Sequence, residues 1–364
     1  MSIENTGVVA AGSYPKTVLP VNGFEFGETR RIVVLLVLLI VLMTGSALVM
    51  TLGAYSVSPG QTLRVILAHI SPFMDISEVG NLYNTIIWNL RVPRILLAIC
   101  VGMVLATSGA AYQACFRNPL VEPYILGASQ GAAFGAALGM VFPRFFLSIQ
   151  VSAFVFAMLA VATAYAMARV RGENPLITLI LAGVIIASVF SGLVSILKYI
   201  ASTAELRGIV FWMMGGFYYA TWEDVRLIAP ISLVCFAVLV CFGWKLNILT
   251  MGDEEAKSLG VNPERYKLLL IGLATLGTAV SVSTVGIIAW VGLMMPHAAR
   301  IIIGPDNRFM VPAAGLLGAI YLVICDTLAR CLASSEIPVG ILTSLVGAPY
   351  LFFLLRTKGK EALG

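Results

Sequence analysis

Long uncharged runs alternate with short polar breaks along almost the whole chain. The first run, from Ile32 to Leu52, follows directly on Arg30-Arg31. Reading the runs in order gives ten membrane-spanning segments, at about 32–52, 95–116, 124–142, 145–168, 175–197, 227–244, 266–284, 287–303, 309–330 and 337–355. A spanning helix needs about 20 mostly apolar residues, and the segments are of that order. The seventh and eighth share one uncharged run, Leu268 to Ala299, which is longer than a single crossing requires. Ser281-Val282-Ser283-Thr284-Val285-Gly286 is read as the turn that divides it, because β-branched residues, serine and glycine gather there.

Composition and charge agree with this pattern. Hydrophobic residues make up 59% of the chain and charged residues 11%, whereas a soluble domain carries roughly a quarter charged residues. The first 29 residues are polar and lack the apolar core of a signal peptide, and Ile32–Leu52 is too long to be one. Residues 1–29 are therefore read as a cytoplasmic N-terminal segment and 30–364 as one transmembrane domain. Ten spans return the C-terminus to the cytoplasm. About two thirds of the 23 Lys and Arg residues then lie inside, as the positive-inside rule requires.

Candidate chemistry is sparse. Cys100, Cys115, Cys235, Cys241, Cys325 and Cys331 form no CxxC pair and read as small packing residues. His69 and His297 fall on opposite sides of this topology, so no histidine metal centre is expected. No phosphate loop, HExxH or GxSxG occurs. The outer segment 198–226 is aromatic-rich, with Phe211, Trp212, Phe217, Tyr218, Tyr219 and Trp222, as suits a membrane–water boundary. Within it Thr221 and Asp224 are spaced as a helix cap.

Four local patterns stand out. Gly127, Gly131, Gly135 and Gly139 recur every four residues and lie on one helix face, where their lack of side chains permits close helix packing. Asn118-Pro119-Leu120, with Pro123 behind it, predicts a rigid turn that ends the second span at Asn118. Between Met251 and Arg265, acids at Asp253, Glu254 and Glu255 open a short helix and Lys257 lies near its end. Gly260 stops it, and Asn262-Pro263-Glu264 starts the next span. In the eighth span His297 and Arg300 share one face, and the histidine is read as structural.

These motifs occur in a recognisable order: Arg91-Val92-Pro93-Arg94, Asn118-Pro119-Leu120, Ile125-Leu126-Gly127-Ala128-Ser129, Gly252–Gly260, Gly286–Arg300, Glu336-Ile337-Pro338-Val339-Gly340 and Gly347-Ala348-Pro349. From about residue 30 to its end, the chain resembles the permease subunit of type II ATP-binding-cassette importers. These are the FecCD-type, BtuC-like proteins that take up vitamin B12, haem and iron–siderophore complexes. The resemblance implies an all-α, polytopic, BtuC-like fold and a short helix at the outer mouth within 198–226. It implies a cytoplasmic gate at Asn118, Leu120 and Thr178, the last being the one polar residue after Pro175-Leu176-Ile177. It implies that Gly252, Asp253, Glu254, Glu255, Ala256, Lys257, Ser258, Leu259 and Gly260 form the coupling helix that docks on an ATPase.

It further implies that Arg91, Arg94 and Arg330 receive acidic knobs of an extracytoplasmic solute-binding protein. Unaided, the residues read as arginines reaching for the interface, with Arg330 spaced to pair with Asp326. The implied assembly is a homodimer in the lipid of the cytoplasmic membrane, with two copies of a separate ATPase that hold ATP and Mg²⁺. No catalytic residue, metal, bound cofactor or nucleic-acid partner is implied for this chain. Iron–siderophore is the default cargo, with haem and cobalamin open. The rival reading is an ion-coupled secondary transporter using Asp326, the principal acid within the spans.

Overall fold

The computed structural model describes residues 27–53, 55–71, 80–145, 148–168, 175–333 and 335–362. Most of the polar N-terminal segment and the stretch 169–174, with Asn174, lie outside the described residues. Among the described residues every regular element is helical. In chain order these are α1 (Glu28–Val49), α2 (Pro59–Ile70), α3 (Asn81–Asn84), a π-helical stretch (Thr85–Arg91), α4 (Val92–Phe116) and α5 (Ala128–Val141). Then come α6 (Ile149–Ala168), α7 (Pro175–Ile200), α8 (Thr203–Met214), α9 (Trp222–Cys241) and α10 (Gly243–Met251). The last are α11 (Asp253–Ser258), α12 (Pro263–Val285), α13 (Val291–Ile303), α14 (Asn307–Cys331) and α15 (Val339–Ala362).

All ten predicted spans coincide with helices. Seven are long and apolar enough to cross a bilayer alone: α1, the continuous Asn81–Phe116, α6, α7, α9, α12 and α14. The other three positions are filled by the shorter α5, α13 and Val339–Phe353 of α15.

Two boundaries differ from the sequence reading. Ser281–Val285 stays helical, because the hydroxyls of Ser281 and Ser283 bond back to the carbonyls of Gly277 and Val280, each at 2.9 Å. Back-bonded hydroxyls are easily held in an apolar helix, so the break waits for Gly286 at φ 72° and ends at Trp290 at φ 76°. The second span ends at Phe116, as its bounds of 95–116 predict, but the turn begins at Arg117 rather than Asn118. Arg117 takes the left-handed conformation, and Asn118 N–H reaches the Gln113 carbonyl at 3.1 Å to close the cap.

α4 forms the axis of the molecule. Its apolar window is 89% buried, and it packs against α14, α12, α9 and α13. Lipid tails give helices no hydrophobic reason to associate, so close backbone contact must do the work. Gly102 of α4 and Gly318 of α14 supply it: a Cβ on either would overlap the other's carbonyl. Buried polar groups bridge α4 and α12, as where Tyr112 and Thr275 hydroxyls meet at 2.7 Å. α1 is mostly exposed and packs on α14 at the rim.

Both faces are tied by polar contacts. On the side that charge assigns to the cytoplasm, Asp306 caps α14 and accepts from Asn247 of α10 at 2.7 Å, Arg308 at 2.7 Å and Arg31 of α1 at 3.2 Å. Burial works against ionisation of Asp306, but the hydrogen bonds from Arg308 and Asn247 outweigh it and hold the carboxyl down to about 2. On the opposite face the Trp222 indole donates to the Trp88 carbonyl at 2.9 Å, and His69 stacks on Trp88 at 3.9 Å.

Candidate functional site

The 251–265 segment folds as a fixed bracket. α11 begins after Gly252, whose φ of 135° disfavours any side chain, and it ends where Gly260 reverses the chain at φ 74°. Val261 N–H bonds to the Ala256 carbonyl at 2.9 Å, and Ala256 and Val261 pack beneath the helix with Ile248. Asn262 caps α12 by accepting from Arg265 N–H at 3.2 Å, with Pro263 in the first turn. Lys267 of α12 reaches back to Asp253 at 2.6 Å. The short helix is thus held at both ends and below, while Glu254, Glu255, Lys257, Ser258 and Leu259 are exposed.

The Asn118 turn stands beside this bracket. Asn118 Oδ1 accepts from Leu120 N–H at 2.9 Å, and Val121 N–H bonds to the Asn118 carbonyl at 3.3 Å. Leu120 remains 41% exposed, with no core to hold it. Thr178 lies in the first turns of α7 and is half-buried. The chain then re-enters the protein, where the Tyr124 hydroxyl donates to the Ile288 carbonyl at 3.0 Å and Pro123 packs on Gly292. The irregular segments 117–127 and 286–290 are therefore neighbours, linking the turn after α4 to the break before α13.

The glycine ladder divides by position. A Cβ on Gly131 or Gly135 would overlap the Phe156 or Ser152 carbonyl of α6, and one on Gly139 would stand 3.2 Å from Ile149 Cα. Gly127 instead precedes α5 at φ 85° and faces α7, where a Cβ would stand 3.3 Å from Ala187 N.

Arg91, Arg94 and Arg330 converge at the opposite face, all buried. Arg94 Nε lies 2.7 Å from Asp326, and its Nη1 lies 2.8 Å from Glu336. Arg330 Nε lies 3.2 Å from the same Asp326, one turn away. Arg91 donates to the carbonyls of Met50, at 2.7 Å, and Tyr55. Asp326, 1% exposed, thus sits between two guanidinium groups. Any docking role for these arginines must be met from buried, already paired positions.

Beside this cluster lies a cavity of about 1080 Å³, between α8 and the adjoining ends of α5, α6 and α12. Glu205, Asp224 and Glu336 line it with Trp212, Tyr218 and Tyr219, and no Lys or Arg is among its described lining residues. α8 is a short helix within 198–226, where one is expected. Ser202 and Glu205 cap it reciprocally, as Thr221 and Asp224 cap α9.

Some of these contacts had no sequence signal. Glu336 and Arg94 are 242 residues apart, and Gln113 receives Arg300 at 2.8 Å across 187 residues. Arg117 did carry a signal, because a residue wedged between a long helix and Asn-Pro must turn sharply.

Seven helices long and apolar enough to cross a bilayer, with a capped bracket on one face and a cavity on the other, fit a membrane-spanning permease. The chain belongs to the FecCD transport family, whose model matches residues 29–357. It is 41% identical to the cobalamin import permease of Halobacterium salinarum over 77% of this chain and 76% of the relative. It is 38% identical to the molybdate import permease of Haemophilus influenzae, over 85% and 91% of the two chains. With the hemin transport permease of Yersinia pestis it shares 38% over 91% and 96%. A solved inward-facing metal-chelate-type ABC transporter superposes with a TM-score of 0.77 at 35% identity, covering 89% of this chain and 99% of that one. The chain is thus an ABC-importer permease rather than an enzyme, of a class whose ATPase is a separate chain.

Proposed function

We propose that this chain forms the homodimeric membrane core of an importer for a bulky metal chelate in the cytoplasmic membrane, with both termini inside. Two copies of a separate ATPase bind ATP and Mg²⁺ and dock on α11, and a solute-binding protein delivers cargo from outside. The observation that carries this reading is the Asp253–Lys267 bracket. It makes α11 part of α12 rather than a loose loop, so force applied to α11 reaches the spans. A floppy connector would absorb that motion.

Alternating access is the mechanism this reading assigns to these parts. Asn118, Leu120 and Thr178 close the cytoplasmic end while cargo enters from the outer side. Closure of the ATPase dimer moves α11, and the exposed Leu120 turn opens. In this reading the binding protein meets Arg91, Arg94 and Arg330 from their buried positions at the outer face. The outer cavity, about 1080 Å³, is just above the usual range for small-molecule pockets, roughly 300–1,000 Å³, in keeping with a large cargo.

The relatives named above carry cobalamin, molybdate and hemin, and a ferric siderophore is the default cargo proposed here. Purification of the tagged chain from native membranes in mild detergent tests the reading. The ATPase should come down in equal ratio, and the visible spectrum of a co-purifying binding protein separates haem, corrinoid and ferric siderophore. A chain that comes down alone, under conditions that preserve membrane complexes, refutes it.

A further inference from the structure

The cavity beside α8 has a wall of one charge sign. Glu205, Asp224 and Glu336 line it together with Trp212, Tyr218 and Tyr219. Arg94 matches Glu336 at 2.8 Å, so that acid adds little field. Glu205 and Asp224 are unmatched: among the described residues no basic side chain pairs with either. Each caps its helix through one carboxylate oxygen. Oε2 of Glu205 accepts from Ser202 N–H at 2.7 Å, and Oδ2 of Asp224 accepts from Thr221 N–H at 3.0 Å. The second oxygen of each lies outside the cap. The wall also holds an unused donor. The Tyr218 hydroxyl is buried and has no hydrogen-bond partner among the described residues. Burial pushes it up to about 12, so it keeps its proton at neutral pH. Tyr219, edge-on to the Tyr218 ring at 6.2 Å, is 89% exposed and presents an open aromatic face.

We infer that this cavity selects cargo by charge: it takes cationic or neutral chelates and excludes anionic ones. The inference deepens the importer reading above and rests on it. A cleft lined by unmatched charge of one sign concentrates ions of the other. Trp212 and Tyr219 add faces for a cation or for the apolar body of a chelate. Tyr218 offers its proton to a ligand oxygen. A corrinoid, or a ferric trihydroxamate that carries a free amine, meets these terms. Molybdate and ferric tris-catecholates carry net negative charge and do not.

The test reads the cavity without knowledge of the cargo. Ala204→Cys places a thiol on its wall. Cys241→Ser and Cys331→Ser in the same chain remove the exposed native thiols. The permease–ATPase complex in nanodiscs is treated with methanethiosulfonate reagents of matched size, one ending in a quaternary ammonium and one in a sulfonate. Relative to a free thiol in solution, the cationic reagent should be favoured roughly tenfold, the low end of focusing in charged clefts. The preference should vanish at about 1 M salt, where screening acts within about 3 Å. It should vanish also in Glu205→Gln combined with Asp224→Asn, which keep an oxygen for each cap. Equal rates for the two reagents, or a preference that the double variant leaves unmoved, overturn the inference. The complete complex with its binding protein is also offered molybdate in proteoliposomes, and ATP-driven uptake of that anion overturns it as well. Cargo import that ignores ATP, with the cation preference intact, sinks the importer reading and leaves the cavity's own selectivity standing.

Discussion

Lys267 Nζ lies 2.6 Å from the Asp253 carboxylate, which joins the first residue of α11 to the first turns of α12. The lysine side chain is 11% exposed and the aspartate 37%. Asp253→Ala should therefore cost little stability, about 1 kcal/mol, because solvent screens the acid. Its larger effect should fall on coupling: ATP hydrolysis continues while uptake per ATP drops several-fold. Parallel assays on the reconstituted complex check this, and a proportional fall in both activities would mean that the pair serves folding alone.

Asp326 should tolerate no loss of charge. It stands between Arg94 and Arg330 with 1% exposure, and removing one member of a buried ion pair costs about 3–5 kcal/mol. Asp326→Ala should lower the detergent melting temperature and the amount of inserted protein. A stable Asp326→Ala protein that had lost only ion dependence would favour the secondary-transporter reading.

Gly135 meets the backbone of α6 so closely that a Cβ there would overlap the Ser152 carbonyl. Gly135→Val should push α5 from α6 at about 1–3 kcal/mol, as overpacking does. Gly272, with open space around its Cβ position, is the matched control, and Gly272→Ala should be near neutral. Melting temperatures of the two variants decide the matter.

Much of this was legible in the sequence because apolar length and positive charge dictate spans directly. The caps at Thr221 and Asn262 and the stop at Gly260 were readable too, since each is fixed by neighbours within three residues. The break at Gly286–Trp290 was shifted because serine and threonine can satisfy their hydroxyls inside an apolar helix, which periodicity does not reveal. The Arg94–Asp326–Glu336 cluster was legible only in its Asp326–Arg330 edge. The other partners meet through the packing of α4, α14 and the segment before α15, which no local pattern encodes.

The Asp306 clamp gives a pH dependence with a defined sign. Its carboxyl titrates lower in the folded chain, near 2, than in an unfolded one, near 3.9. Its contribution is thus complete above the ordinary carboxylate range and is lost as the pH falls from about 4 toward 2. Melting temperature should be indifferent to Asp306 protonation between about pH 5 and 8, and Asp306→Asn should flatten part of the acid decline. An equal acid decline in the variant would remove Asp306 from the account.

The most direct test of ATP-driven import is cargo uptake by the reconstituted complex with every ion gradient collapsed by ionophores. Uptake should persist with ATP on the α11 side and stop without it. Glu254→Arg combined with Glu255→Arg should abolish it while leaving the chain inserted. Uptake that needs an ion gradient and ignores ATP, or normal ATP-driven uptake by the double variant, would contradict the account.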